Sequence, residues 1–107
     1  MSKIKYSPEA LNDLREIQKL LIENWGDEVA SKIIKRLFTQ VNRLVMFPLS
    51  GVNLGKLIDV STDYRYIFTE KNYIFYHVHD GEIRIVRILN ERQNYLQHLF
   101  ELDSESN

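Results

Sequence analysis

The chain has 107 residues, 44% of them hydrophobic and 27% charged, which predicts a single globular domain with an ordinary soluble composition. It contains no cysteine, which excludes disulfides, thiolate metal sites and a cysteine nucleophile. The net charge is -1, but the acids Glu101, Asp103 and Glu105 stand at the end without a base, so the rest of the chain is slightly basic.

Two terminal features bear on domain limits and compartment. The first residues lack the apolar run of a signal peptide, and no stretch reaches the ~20 apolar residues of a membrane span. We therefore expect a cytoplasmic protein without a membrane partner. We also expect one domain over residues 1–100, followed by a disordered acidic tail over residues 101–107.

The N-terminal segment predicts a strand followed by a helix. Residues 3–6 alternate polar and apolar side chains, so Ile4 and Tyr6 should face the core. Ser7 can cap a helix whose first position is Pro8, because proline lacks the N–H that would be unpaired there.

Apolar residues at spacings of three and four next predict two amphipathic helices. Gly26 ends the first, Asp27 caps the second and Pro48 stops it, so the two helices should form an antiparallel hairpin. The stripe positions are Leu11, Leu14, Ile17, Gln18, Leu21, Ile22 and Trp25, then Ala30, Ile33, Ile34, Leu37, Phe38, Val41, Leu44 and Val45.

The remaining chain predicts a small sheet. Residues 52–63 have no clear period and are interpreted as a loop with a short edge strand near 56–60. Three strands follow at 64–69, 73–79 and 82–89, with Asp80-Gly81 as a two-residue turn, and a short helix spans 94–100. The order β-α-α-β-β-β-(α) predicts an α+β fold, with the hairpin on one face of a mostly antiparallel sheet and the other face partly open.

Motifs for cofactor chemistry are absent from the sequence. There is no phosphate loop, dinucleotide fingerprint or hydrolase elbow. His77 and His79 would share one strand face, but a third ligand of suitable spacing is missing, so neither a metal nor a cofactor is expected.

Cations and aromatic groups concentrate in the C-terminal half of the domain. Arg87 lies inside an apolar strand and needs an acidic partner or a solvated face. Arginines, a phenol and an imidazole can cleave RNA by neutralising phosphate and moving the proton of a 2′-hydroxyl. The alternative is a basic rim that binds an acidic protein. The candidates are Arg65, Arg87, Arg92, Tyr95 and His98.

Several stretches together resemble the RelE/ParE superfamily of toxins from bacterial type II toxin–antitoxin modules, which occur on plasmids and chromosomes. They are SPEALNDLREI, FPLSG, DYR, YIFYHV and IRIVRILNERQNYLQHLF. The resemblance covers residues 3–100. It implies a growth-inhibiting toxin that an antitoxin neutralises, with operator DNA bound only through the antitoxin.

The resemblance leaves two targets open. In the RelE-like branch, ribosome-dependent mRNA endonucleases, Arg65, Arg92 and either Tyr95 or His98 would be catalytic. The ParE-like branch poisons DNA gyrase without an established catalytic residue. The long hairpin, the ending RILNERQNY and the presence of only Lys56 before the arginine strand favour ParE. Lys56 and Arg87 then become candidate binding residues. A degenerate toxin that binds only its antitoxin is a third possibility.

Overall fold

A computed structural model gives the architecture of residues 3–100, apart from the side chains of Leu96, Gln97 and Phe100. The predicted domain, residues 1–100, extends slightly beyond this range, and the predicted acidic tail, residues 101–107, lies outside the described residues. The elements in chain order are β1 (Lys3–Tyr6), α1 (Pro8–Asn42), a 3-10 turn (Arg43–Val45), β2 (Val52–Asn53), α2 (Leu54–Ile58), β3 (Arg65–Thr69), β4 (Asn72–His79), β5 (Glu82–Asn90) and α3 (Tyr95–Phe100).

The start of α1 is fixed as the sequence predicts. The Ser7 hydroxyl accepts a hydrogen bond from the Ala10 N–H at 2.9 Å, and Pro8 occupies the first turn. The same hydroxyl donates to the Val86 carbonyl, and the Ser7 N–H donates to the Ile85 carbonyl at 2.9 Å. Ser7 therefore caps the helix and ties its first turn to β5.

The predicted hairpin is confirmed: α1 consists of two helical segments that meet at Gly26, where a φ of 85° and a ψ of 169° interrupt the helical backbone. A straight helix of 35 residues would be about 52 Å long, whereas the longest dimension of the fold is 41 Å. Ala10 from the first half packs in the same core cluster as Leu37 and Val41 from the second. The chain thus folds back on itself at Gly26, and a second helical segment runs from there to Asn42.

The sheet has the order β1-β5-β4-β3-β2, with β1 parallel to β5 and every other pair antiparallel. Two tight turns connect its central strands, and all four of their residues have positive φ, as primed hairpin turns require. A bulge at Val86 shifts the register, since Phe75 pairs with Arg87 but Tyr76 pairs with Ile85. This extra residue lets both Ile85 and Ile88 reach the hairpin side.

The core has two layers. On the hairpin side, α1 packs on Ile74, Tyr76, Ile83, Ile85 and Ile88. On the opposite side, the buried residues Leu54, Phe75 and Leu89 are packed against side chains from α2 and α3.

Two details differ from the sequence predictions, the position of the edge strand and the burial of some stripe positions. The edge strand near residues 56–60 is wrong, because Val52–Asn53 forms the strand and Asn53 caps α2 by accepting from the Lys56 N–H. The second sheet face, which the sequence predicts to be partly open, is partly covered by α2 and α3. In α1, the stripe positions Leu11, Ile22 and Trp25 are exposed, with Trp25 65% exposed.

Candidate functional site

Arg87 has the acidic partner that its strand position requires. Its Nε and Nη2 donate to the two carboxylate oxygens of Asp13 on α1, at 2.8 and 2.9 Å. These hydrogen bonds raise the pKa of the Arg87 guanidinium above its ordinary value. Asp13 also accepts from the Ile88 N–H at 2.9 Å. Arg87, which the sequence predicts to be a binding residue, thus links the hairpin to β5, the strand that contains the bulge.

Arg65 lies at the start of β3 and faces the loop before β2. Its guanidinium donates to the carbonyls of Leu49 and Gly51, at 3.3 and 3.0 Å. The buried Tyr76 hydroxyl donates to the Pro48 carbonyl and accepts from the Gly51 N–H. Burial raises the pKa of Tyr76. Arg65 and Tyr76 together hold the loop, which displays Leu49 at 65% exposure.

Tyr95 and His98 belong to α3 on the other side of the sheet. The ring of Tyr95 packs on Tyr73 and Phe75, with ring centroids 5.3 Å away in each case. His98 is exposed. The spacing of three predicted a shared helical face, but Tyr95 is held by core aromatics whereas His98 is directed to solvent.

Arg92 and Lys56 are exposed at separate places. Arg92 follows β5, where its N–H donates to the Asn90 side chain at 3.0 Å. Lys56 lies in α2, which follows the opposite edge strand, β2.

The side chains proposed for RNA cleavage do not converge. Arg65 pairs across the sheet with Tyr76, so it shares the hairpin face, whereas Tyr95 packs on the opposite face. Arg92 follows the end of β5, where Asn90 pairs with Asn72 of β4. Asn72 is four residues from Tyr76 along β4, which corresponds to roughly 13 Å at the rise of a strand. The geometry separates Arg65 from Arg92 along the strands and from Tyr95 across the sheet.

The two strand histidines have separate acidic neighbours. His77 lies 3.3 Å from Asp63, and His79 lies 3.3 Å from Asp80. In the part of the chain that the structure describes, no three histidine or acidic side chains are grouped so that they could hold a metal ion. No helix in that part is long and apolar enough to cross a membrane.

Sequence reasoning missed two groups of residues. Asp13 binds Arg87, and Tyr76 holds the loop before β2. Only the tertiary fold identifies these partners. The second group is a set of exposed apolar side chains on the loop after α1. This group consists of Met46 (75% exposed), Phe47 (58% exposed) and Leu49. The FPL segment directly after the helix is the sequence pattern that could have indicated it.

Comparisons with known proteins agree with this fold. A solved chain described as "Chromosomal ParDE TA system from P. aeruginosa" is 24% identical and superposes with a TM-score of 0.70, covering 84% of this chain and 96% of that one. No curated protein matches the sequence. The family model described as "ParE toxin of type II toxin-antitoxin system, parDE" matches residues 4–95. The chain therefore belongs to the ParE toxin family of type II toxin–antitoxin systems.

Proposed function

We propose that this protein inhibits bacterial growth by poisoning DNA gyrase as a protein–protein inhibitor, and that a cognate antitoxin neutralises it. The observation that carries the proposal is the separation of Arg65, Arg92 and Tyr95 over two sheet faces and two ends of the strands. Cleavage of RNA needs a phosphate-binding cation and a proton-transfer group around one scissile bond. Family membership agrees with a gyrase target.

The site residues take non-catalytic roles in this proposal. Arg65 and Arg87 stabilise the fold through the contacts described above, and Tyr95 is part of the aromatic core. The toxin acts in the cytoplasm, where gyrase is found. Operator DNA is contacted by the antitoxin and not by this chain.

The experiment is induction of the full chain in bacteria without its antitoxin. We expect filamentation and a DNA-damage response, and we expect purified chain to accumulate cleaved DNA in reactions with purified bacterial gyrase. Prompt arrest of translation with intact DNA would contradict the proposal and favour the ribosome-dependent endonuclease. Harmless expression of folded chain would contradict it in favour of a degenerate toxin.

Tyr95→Phe separates the two toxic mechanisms. This variant keeps the ring on Phe75 and removes only the phenol, so growth inhibition through gyrase should stay within about twofold of the parent chain. A Tyr95-dependent RNA cleavage would fall by about 100-fold or more, because positioned proton transfer contributes that much. Primer extension on transcripts from induced cells measures the cleavage directly.

A further inference from the structure

The middle of the chain is a long segment without acidic residues. No aspartate or glutamate occurs between Glu28 and Asp59, although the whole chain has 15 acids against 14 lysines and arginines. The segment spans most of the second half of α1, the 3-10 turn, β2 and α2. This uneven distribution favours a positive potential at its surface. The bases of the segment are Lys32, Lys35, Arg36, Arg43 and Lys56.

Four of these bases, which we call the basic stripe, lie on one side of the second half of α1: Lys32, Lys35, Arg36 and Arg43. Successive residues of a helix are rotated by about 100°, so Lys32, Arg36 and Arg43 fall within about 40° of one another. Lys35 lies about 60° from Lys32 by the same geometry. Arg43 directly follows α1 and keeps a helical conformation. All four are exposed, and the helix rises about 16 Å from the first to the last.

Neighbouring acids neutralise only two of the four charges. The Arg36 Nε and Nη2 donate to the Glu70 carboxylate at 3.1 and 2.9 Å. Lys32 lies 3.8 Å from Glu28, one helical turn earlier, and the Glu28 side chain is 87% exposed. An ion pair this exposed contributes little and is easily exchanged for another anion.

The other two charges of the stripe face solvent. Lys35 and Arg43 form no ion pair within the described part of the chain. Arg43 Nη1 donates only to the neutral side chain of Gln40, at 3.4 Å. Both cations therefore remain available to an anion that approaches this side of the helix.

The stripe offers charge without apolar contact. Between Val29 and Met46, no large hydrophobic side chain is exposed. The buried centre of a protein–protein interface is apolar and depleted of charged residues. A nucleic-acid backbone, in contrast, is bound by cations and hydrogen-bond donors alone. The stripe therefore suits phosphates better than an acidic protein surface.

The aromatic content of the stripe favours a duplex over a single strand. Proteins bind single strands largely by stacking the bases on aromatic side chains. Phe38 is the one aromatic residue between Lys32 and Arg43 in the sequence. Its ring packs edge-on against Tyr6, with ring centroids 6.1 Å apart, so it is not available for stacking. Duplex DNA presents one negative charge per about 1.7 Å of its axis and requires no such stacking.

We propose that the basic stripe binds the phosphate backbone of the duplex DNA on which gyrase acts. The inference rests on the proposed function for this partner, because a gyrase poison acts on an enzyme that holds duplex DNA. Lys35 and Arg43 contact phosphates directly, while Lys32 and Arg36 add to the attraction. The contact is independent of base sequence and is distinct from operator binding, which belongs to the antitoxin.

The first experiment titrates the purified full chain into a short labelled DNA duplex without gyrase and follows fluorescence anisotropy. We expect a dissociation constant of about 10⁻⁴ to 10⁻⁶ M, the range of non-specific binding. About two to four phosphate contacts predict a slope of about -2 to -4 when the logarithm of the association constant is plotted against that of the salt concentration. Absence of salt-dependent binding would overturn the inference.

A pair of double variants tests the stripe itself. The stripe variant combines Lys35→Gln with Arg43→Gln, and it should bind the duplex at least about tenfold more weakly at low salt, with a slope smaller by about 2. The control variant combines Arg15→Gln with Lys19→Gln, which removes the same charge from exposed positions beside Glu16. It should change the affinity less than about threefold. Circular dichroism verifies that both are folded, and equal losses in the two would assign the binding to net charge alone.

Two comparisons identify the kind of partner. At the same salt concentration, the chain should bind the duplex more tightly than a single-stranded RNA of equal length, and a preference for RNA would overturn the assignment to DNA. Binding of the chain to gyrase without DNA should be the same for the parent chain and the stripe variant. If the stripe variant lost gyrase binding but kept duplex binding, the stripe would contact an acidic protein surface instead.

Cleavage assays with gyrase separate this inference from the proposed function. The stripe variant should need about tenfold more chain than the control variant for the same yield of cleaved DNA, in line with its weaker duplex binding. If the parent chain bound duplex DNA through the stripe but caused no cleavage, the gyrase proposal would fail and the DNA contact would stand. If the parent chain and the stripe variant were equal in both assays, the DNA contact would fail and the gyrase proposal would stand.

Discussion

Asp13 accepts three hydrogen bonds, two from Arg87 and one from the Ile88 N–H. Its side chain is 11% exposed and that of Arg87 is 23% exposed, so water can replace little of this interaction. Removal of one partner leaves the other charge unpaired and poorly solvated. The resulting loss of folding free energy is larger than the net free energy that the ion pair contributes.

At this site we expect Asp13→Asn to lower the free energy of unfolding by about 3 kcal/mol, because the charge on Arg87 loses its partner. Urea denaturation measures the change. The matched control is Glu28→Gln, which breaks the exposed pair with Lys32. The control should change the free energy by about 0.5 kcal/mol or less. Equal effects of the two substitutions would show that the buried pair has no special importance.

The sequence predicts part of this residue-scale picture. An arginine inside an apolar strand requires a partner or a solvated face, and the partner exists. Its identity could not be predicted, because Asp13 is 74 residues away from Arg87 and the bulge at Val86 sets how the strand meets α1. For the same reason, the sequence could not reveal that Arg65 and Tyr95 lie on opposite sheet faces.

At the scale of elements, the bend in α1 depends on one backbone position. Gly26 has φ 85° and ψ 169°, a region that is essentially restricted to glycine. A Cβ at this position would meet no heavy atom within 4 Å, so side-chain crowding is not the constraint. The cost of a substitution comes from the backbone alone.

We therefore expect Gly26→Ala to destabilise the fold by about 1–3 kcal/mol although the site is open to solvent. Asn24→Ala, two residues earlier on the exposed helix surface, is the control and should be neutral or slightly stabilising. Thermal unfolding followed by circular dichroism compares the two. If Gly26→Ala matched the parent chain in stability, the bend would not require a positive φ.

The elements were predicted best where local rules decide the conformation. The cap at Ser7, the interruption of the helix at Gly26 and the turn at Asp80-Gly81 depend on local backbone preferences, and all three are confirmed. Residues 54–58 were misassigned because the segment is too short for a helical period to stand out. Asn53 as a cap and the spacing of Leu54, Leu57 and Ile58 were the available pattern.

For the whole molecule, burial is unevenly distributed. Every residue from 22 to 29 is exposed, whereas β4 and β5 contain most of the fully buried large side chains. The bend of α1 therefore extends away from the core, held there by few contacts. Local opening is easiest where few apolar contacts are lost.

Amide hydrogen exchange should show this gradient. We expect exchange near residues 22–29 through local opening, with much lower protection than at Ile74, Phe75 and Tyr76, which should exchange only through global unfolding. Mass spectrometry of the peptide fragments resolves the two regions. Uniform protection across the chain would contradict this distribution of stability.

The parallel pairing of β1 with β5 has a consequence for synthesis of the protein. Lys3 pairs with Glu82 and Tyr6 with Ile85, so the first strand is completed only by residues made about 80 positions later. At 5–20 residues per second, the ribosome needs about 4–16 s to supply them. During that interval the hairpin lacks the strand on which its core face packs. A nascent toxin therefore gains its native sheet, and with it any toxic activity, only when nearly the whole chain has left the ribosome.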